Sequence, residues 1–241
     1  SRSFFKSQVP TIDTVQDHAI WAGMYNFARK NNFKSILTGG NLYTESVREP
    51  LTWAYHATDL RQIFDIHRKF GEADIKNFPL IDILTYQLLY KYFYNIKIYQ
   101  PLNHIKYNKK KAIDLLISEL EWEDYGGKHH ESNFTKFIEG YWMPSKFGID
   151  KRKVHLSSLI HTNQIKRTEA IEILGNSPYD INEIDKDFNY VASKLDLSVE
   201  ELRNLFNDTN KFHFNYKSKD RLLRIAIFIK RALGSEKRLF I

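Results

Sequence analysis

The sequence predicts an α/β body over residues 1–152 followed by an all-helical region over residues 153–241. Apolar residues recur at helical spacing through most of the chain. Two short β-like runs, Phe33-Lys34-Ser35-Ile36-Leu37 and Ile96-Lys97-Ile98-Tyr99, interrupt that pattern, and both lie in the first half. Only 6 Pro and 10 Gly in 241 residues leave room for long elements and short connections.

Each element has its own signal. A first helix is expected over 14–30, with Val15, Ala19, Ala22, Tyr25 and Phe27 on its apolar face and Asn31-Asn32 as its stop. The strand that follows runs into Thr38-Gly39-Gly40-Asn41. Helix, strand and glycine-bearing turn form half of an α/β unit. Ser46-Val47-Arg48-Glu49 has the spacing of a capping box, although Pro50 curtails any helix there. Further helices are expected over 59–70, 81–94, 108–121 and 134–143, the last broken by Pro144. Beyond 153 they fall at 154–164, 168–174, 180–195, 198–206 and 220–233. The terminal basic segment, with Arg221, Arg224, Lys230 and Arg231 beside a stripe of Leu222, Ile225, Ile229 and Leu233, is expected to dock through that stripe; a membrane or RNA element is the alternative.

Composition narrows the function. With 42% hydrophobic and 15% aromatic residues the chain can fill a core, which excludes a disordered protein. The absence of Cys excludes disulfides, zinc ribbons, iron–sulfur clusters and thiol nucleophiles. A net charge of +7 favours anionic ligands without reaching the excess of a histone tail. The apolar run 225–229 is far short of the roughly 20 residues that span a bilayer, and the amino terminus lacks an apolar signal core. A cytoplasmic protein without membrane insertion is the expectation.

Three constellations can carry chemistry. In the first, Thr38, Gly39, Gly40 and Asn41, with Thr44 and Glu45 behind them, leave a strand end where open parallel sheets bind ligands; taken alone, the triplet Gly39-Gly40-Asn41 is better read as a plain exit turn needing positive φ. The second is Arg48, Glu49, His56, Asp59 and Arg61, which can hold phosphate or carboxylate groups or can be ordinary surface ion pairs. The third spans 127–153. There Lys146, Lys151, Arg152 and Lys153 form a cationic group suited to a phosphate leaving group. His129, His130 and Glu131 lack a third ligand at zinc spacing, so no metal is assigned there. Interleaved basic and aromatic residues leave a nucleic-acid patch as the competing reading, although no nucleic-acid partner is expected.

In order along the chain, Gln16-Asp17-His18, Leu37-Thr38-Gly39-Gly40-Asn41 with Thr44-Glu45, Val47-Arg48-Glu49-Pro50-Leu51, Tyr55-His56-Ala57-Thr58-Asp59-Leu60-Arg61, Phe78-Pro79-Leu80 and Lys128-His129 with Glu131-Ser132 are followed by Pro144-Ser145-Lys146-Phe147-Gly148-Ile149-Asp150-Lys151-Arg152. This set, closed by His155-Leu156-Ser157-Ser158, resembles the N-acetyl sugar amidotransferases of lipopolysaccharide and O-antigen biosynthesis, within the PP-loop ATP-pyrophosphatase superfamily. The resemblance implies a Rossmann-like adenine-nucleotide α-hydrolase body followed by helices. It also implies conversion of a sugar N-acetyl group to an acetamidino group with ATP, Mg2+ and ammonia, the ammonia coming from a glutaminase partner. An amide oxygen leaves poorly; once adenylated it departs as AMP, and cations that accept the developing charge lower the barrier. On this resemblance Lys146, Lys151 and Arg152 are the catalytic candidates. Thr38, Gly39, Gly40, Asn41 and Glu45 would bind ATP, and Arg48, Asp59, Arg61, His129 and Glu131 a nucleotide-sugar. Another PP-loop ligase and a basic helical nucleic-acid-binding protein are the alternatives.

One departure is large. The Ser-Gly-Gly-x-Asp-Ser loop that cradles pyrophosphate in this superfamily is missing from the sequence. The chain is therefore expected to begin midway through the family's domain and to be inactive alone. Residues 1–241 by themselves should give no pyrophosphate exchange into ATP, and robust exchange would overturn that expectation.

Overall fold

The computed structural model describes residues 1–50, 52–125, 127 and 130–232. The amino-terminal half consists of α1 (Arg2–Lys6), α2 (Thr14–Lys30), β1 (Ser35–Leu37), α3 (Leu42–Glu45), α4 (Leu60–Phe70), α5 (Ile83–Thr85) and β2 (Lys97–Tyr99). There follow α6 (Lys109–Leu120), α7 (Asn133–Phe137), α8 (Arg152–His161), α9 (Arg167–Gly175), α10 (Ile184–Leu195), α11 (Val199–Asn207) and α12 (Asp220–Ala232). The α5 and α7 helices continue as π-helical stretches, Tyr86–Phe93 and Ile138–Phe147.

Among the described residues the sheet has two strands, β1 and β2, paired in parallel with Ile36 opposite Ile98. The ladder extends by one bond, from Thr38 N–H to the Tyr99 carbonyl. Ile36 and Ile98 pack with Ala22, Tyr25 and Ala28 of α2 and with Tyr90 and Ile96. Leu37 and Tyr99, on the other face, are exposed. Parallel sheets are ordinarily covered on both faces, and here α2 covers one.

Pro144 does not end its helix as expected. The i→i+5 bonding around it tolerates the missing N–H, and the helix runs on to Phe147. It stops at Gly148, whose φ of +68° is left-handed; Gly148 N–H bonds to the Pro144 carbonyl and Ile149 N–H to the Met143 carbonyl. This segment delivers Trp142 and Met143 to the largest apolar cluster, with Phe5, Ile12, Phe137, Phe188 and Leu202. The rings meet edge to face, Phe5 and Trp142 at 5.0 Å and Phe137 and Phe188 at 5.1 Å. That cluster draws on both sides of the expected seam at 152/153.

The α2 helix has the expected limits but a rotated inner face: Phe27 is exposed and His18 is fully buried. His18 tolerates burial because both ring nitrogens are used. Its Nδ1 lies 2.7 Å from the Ala57 carbonyl and its Nε2 3.2 Å from Ile81 N–H, so Nδ1 donates, Nε2 accepts and the ring is neutral. Burial accordingly holds its pKa below the ordinary 6.5. On acidification the unfolded chain takes up this proton first, so the stability His18 contributes is present above pH 6.5 and is lost as the pH falls toward the folded-state pKa. Urea midpoints should drop between about pH 7.5 and about pH 5. His18→Phe should shrink that drop without abolishing it, because burial also depresses His56 and His213. An unchanged pH profile in the variant would contradict this assignment.

Candidate functional site

The turn leaving β1 is built by polar contacts. Asn41 caps α3, accepting from Thr44 N–H at 2.9 Å while its own amide donates to the Gly39 carbonyl at 3.3 Å. Leu42 N–H reaches Asn103 Oδ1 at 2.7 Å, and Asn103 donates to Gln100 Oε1 at 2.9 Å, so the loops after the two parallel strands are tied together. Neither Gly39 nor Gly40 has a positive φ. A Cβ on Gly40 would lie 2.9 Å from Gln100 Nε2 and 3.4 Å from Glu45 Oε2, the ends of two flexible side chains that can swing aside, so neither φ nor space demands glycine here.

The α8 helix lies against this turn. Ser158 Oγ accepts from Val47 N–H at 3.0 Å, and Thr162 Oγ1 donates to the Tyr43 carbonyl at 2.9 Å. The docking lays the carboxyl-terminal half of α8 along α3. Asn41, Thr44 and Glu45 then share a cavity of about 800 Å³ with Arg152 and His155 of α8, Lys109 of α6, and Tyr107, Trp122, Tyr125 and Glu131. A second cavity, of about 1050 Å³, opens at the carboxyl ends of β1 and β2 between Thr38, Gly40, Tyr99 and Gln100 and the rings of Trp21, Tyr86 and Tyr92. Glu45 lines both.

The expected site residues divide accordingly. Thr38, Gly40, Asn41 and Glu45 line one or both cavities, and Arg152 and Glu131 line the smaller one. Gly39 is exposed beside them, as are Arg48 and Arg61 on their own segments. His129 lies outside the described residues. Glu45, Arg48, Glu131 and His155 all have interaction partners.

Lys146, Lys151 and Arg152 are each engaged by groups of the chain itself, and Lys153 is exposed. Lys151 Nζ sits 3.0 Å from Glu139, 3.6 Å from Asp13 and 3.7 Å from Glu49. Burial disfavours its charge, but the three carboxylates outweigh burial and hold its pKa above the ordinary lysine value. Lys146 donates to the Phe206 and Asp208 carbonyls at 2.7 and 2.6 Å, capping α11, and burial lowers its pKa. Arg152 is chelated by Asp150 at 2.8–3.1 Å and donates to the Asn176 carbonyl at 3.0 Å, yet it still borders the cavity.

Asp59 is likewise structural in its contacts. It is fully buried, caps α4 through Arg61 N–H at 2.9 Å, and accepts from the Tyr55 hydroxyl and from Lys219 N–H, each at 2.6 Å.

Sequence reasoning missed Lys109, Tyr107, Trp122 and Tyr125. Their signal was present: Trp122 and Tyr125, edge to face at 5.4 Å, interrupt an otherwise polar stretch after α6. Nothing local said which helices would wall the space around them.

Removing Asp59 strands three donors at once, two of them backbone amides. Asp59→Ala should lower unfolding stability by about 2–4 kcal/mol, measured by urea denaturation. A loss under about 0.5 kcal/mol would show that these contacts do not hold the fold.

Comparison with known proteins adds one finding. Residues 131–230 match the family model described as LPS biosynthesis protein WbpG-like, C-terminal domain. No curated protein and no solved structure gave a significant match. No helix among the described residues is long and apolar enough to cross a membrane. The family match sets residues 131–230, which carry Arg152, His155 and the whole of α8, in the context of surface-polysaccharide biosynthesis.

Proposed function

We propose that the chain is part of an ATP-dependent amidotransferase that converts an N-acetyl group of a nucleotide-sugar to an acetamidino group. The single observation that carries this reading is that Glu45 lines two cavities, one at the carboxyl ends of parallel strands and one walled by α8. The parallel β1–β2 pair with its helix-bearing crossover supports a Rossmann-like body, in which ligands lie beyond the strand ends. The family match over residues 131–230 supports the glycan substrate class.

In this reading ATP occupies the strand-end cavity, with the Gly40 backbone beside it. The nucleotide-sugar occupies the smaller cavity, where Trp122 and Tyr107 offer aromatic faces to its base and Lys109 a cation to its diphosphate. The substrate's amide oxygen attacks the α-phosphorus and pyrophosphate leaves, giving an O-adenylyl imidate. Ammonia then adds to the imidate carbon, the C–O bond to AMP breaks, and the proton shed by nitrogen passes to a carboxylate, for which Glu45 is our assignment. Arg152, held rigid by Asp150, contributes a fixed positive charge near the departing phosphate. Lys146 and Lys151 act through the fold, by securing α11 and the start of α8. Among the described residues no group of three His, Asp or Glu side chains is arranged to hold a metal ion, so Mg2+ would arrive with the triphosphate.

The test is an assay of the protein as its gene encodes it, with ATP, ammonium chloride and a UDP-linked N-acetyl sugar. AMP and pyrophosphate should form only when all three are present, and the sugar should show the mass change of exchanging O for NH. AMP release that ignores the sugar, or no release under any combination, would defeat the reading. Trp122→Ala should raise KM for the nucleotide-sugar about tenfold with kcat nearly unchanged.

A further inference from the structure

The α12 helix carries Leu222, Ile225 and Ile229 at spacings of three and four residues, with Phe228 alongside, and all four side chains are exposed, by 51–73%. Leu233, the last residue of the expected docking stripe, lies outside the described residues; the other three are not docked on the body. Exposure of four large apolar groups on one face of one helix is costly in water and marks a surface that meets something else. The helix is not loose at its root. Tyr216 hydroxyl donates to the Ser7 carbonyl at 2.6 Å, Lys217 N–H to Asp65 at 3.0 Å and Lys219 N–H to Asp59 at 2.6 Å. These bonds tie its lead-in to the buried carboxylates of α4, so the stripe is held outward from a fixed base.

Charge selects the occupant. Exposed Arg221 and Arg224 continue the row that leads to Phe228, one helical turn apart along the flank of the stripe; Arg224 pairs with Asp220 at 2.7 Å in an exposed ion pair that a phosphate can displace. Exposed Lys217 precedes them, and Lys230 and Arg231 follow in sequence, against Asp220 as the single carboxylate between 217 and 231. Basic side chains beside an apolar stripe are the arrangement of a helix lying in a lipid interface, its rings and aliphatic groups among the acyl chains and its long cations reaching headgroup phosphates. The same row of cations would repel a second copy of itself.

We propose that α12 is an interfacial helix that seats the protein on a bilayer rich in anionic phospholipid. The inference rests on the exposed stripe and its charges and is independent of the enzymatic reading.

The full chain would be sedimented with sucrose-loaded vesicles of phosphatidylcholine alone and of an equimolar mixture with phosphatidylglycerol. Binding is expected to the mixed vesicles, weak binding to the neutral ones, and loss of affinity as salt is raised. The triple change Leu222→Gln, Ile225→Gln and Ile229→Gln should lower the partition coefficient about tenfold or more, with circular dichroism showing the fold retained because these side chains lie outside the core. Arg221→Ala with Arg224→Ala should weaken binding to mixed vesicles and leave the weak neutral binding unchanged. Absence of wild-type binding would overturn the proposal. So would a wild-type dimer that the triple variant makes monomeric without vesicle binding. Equal salt-sensitive binding of wild type and triple variant to single-stranded RNA, with no vesicle binding by either, would assign the basic residues to nucleic acid and also overturn it.

Discussion

Hydrogen bonds from Val47 N–H to Ser158 and from Thr162 to the Tyr43 carbonyl hold the segment around α3 against α8, and the rest of the candidate site depends on that docking. Chain positions more than a hundred residues apart are joined there. Without it, Asn41 and Glu45 would end a turn on one element while Arg152 and His155 opened another, and no common cavity would exist. Both acceptors lie in part-buried surroundings, where a lost partner costs more than a surface hydrogen bond contributes.

The charges of the molecule serve this framework before they serve any ligand. Lys151 joins the segment before α2, the loop after α3 and the π-helical stretch through Asp13, Glu49 and Glu139. Asp65 and Asp59 collect backbone amides and basic side chains from the lead-in to α12 and from α4 itself. A basic protein can thus present little free cation at its candidate site. The +7 balance is a property of the whole surface, and Lys109, which the sequence did not single out, lines the cavity while Lys146 and Lys151 are engaged within the fold.

Much of the helical frame was readable locally. The spans of α2, α4, α6 and α11 follow apolar spacing, the caps Asp59, Asn108 and Ser198 of the last three, and stop signals that act within a turn of where they sit. The two strands were legible for the same reason, through β-branched residues and the glycine turn. Rotation of α2 about its axis was not, because His18 enters the core only when Ala57 and Ile81 arrive to satisfy its nitrogens. Nor was the passage of the π-helix through Pro144, since propensity speaks against it and packing of Trp142 and Met143 decides for it.

By itself the sequence determined most of the longer helices, the pair of short strands, the turn that follows the first of them and the lack of thiol chemistry; the short helices α1 and α3 were not read from it. These are consequences of spacing and composition over a few residues. Only the tertiary structure decided which of the conspicuous charges face a cavity and which are consumed internally, and that the apolar stripe of α12 stays uncovered. Ion pairing and burial depend on what comes near from elsewhere in the chain. Lys151 and Arg152 are neighbours in sequence, yet one is enclosed by three carboxylates while the other borders the cavity.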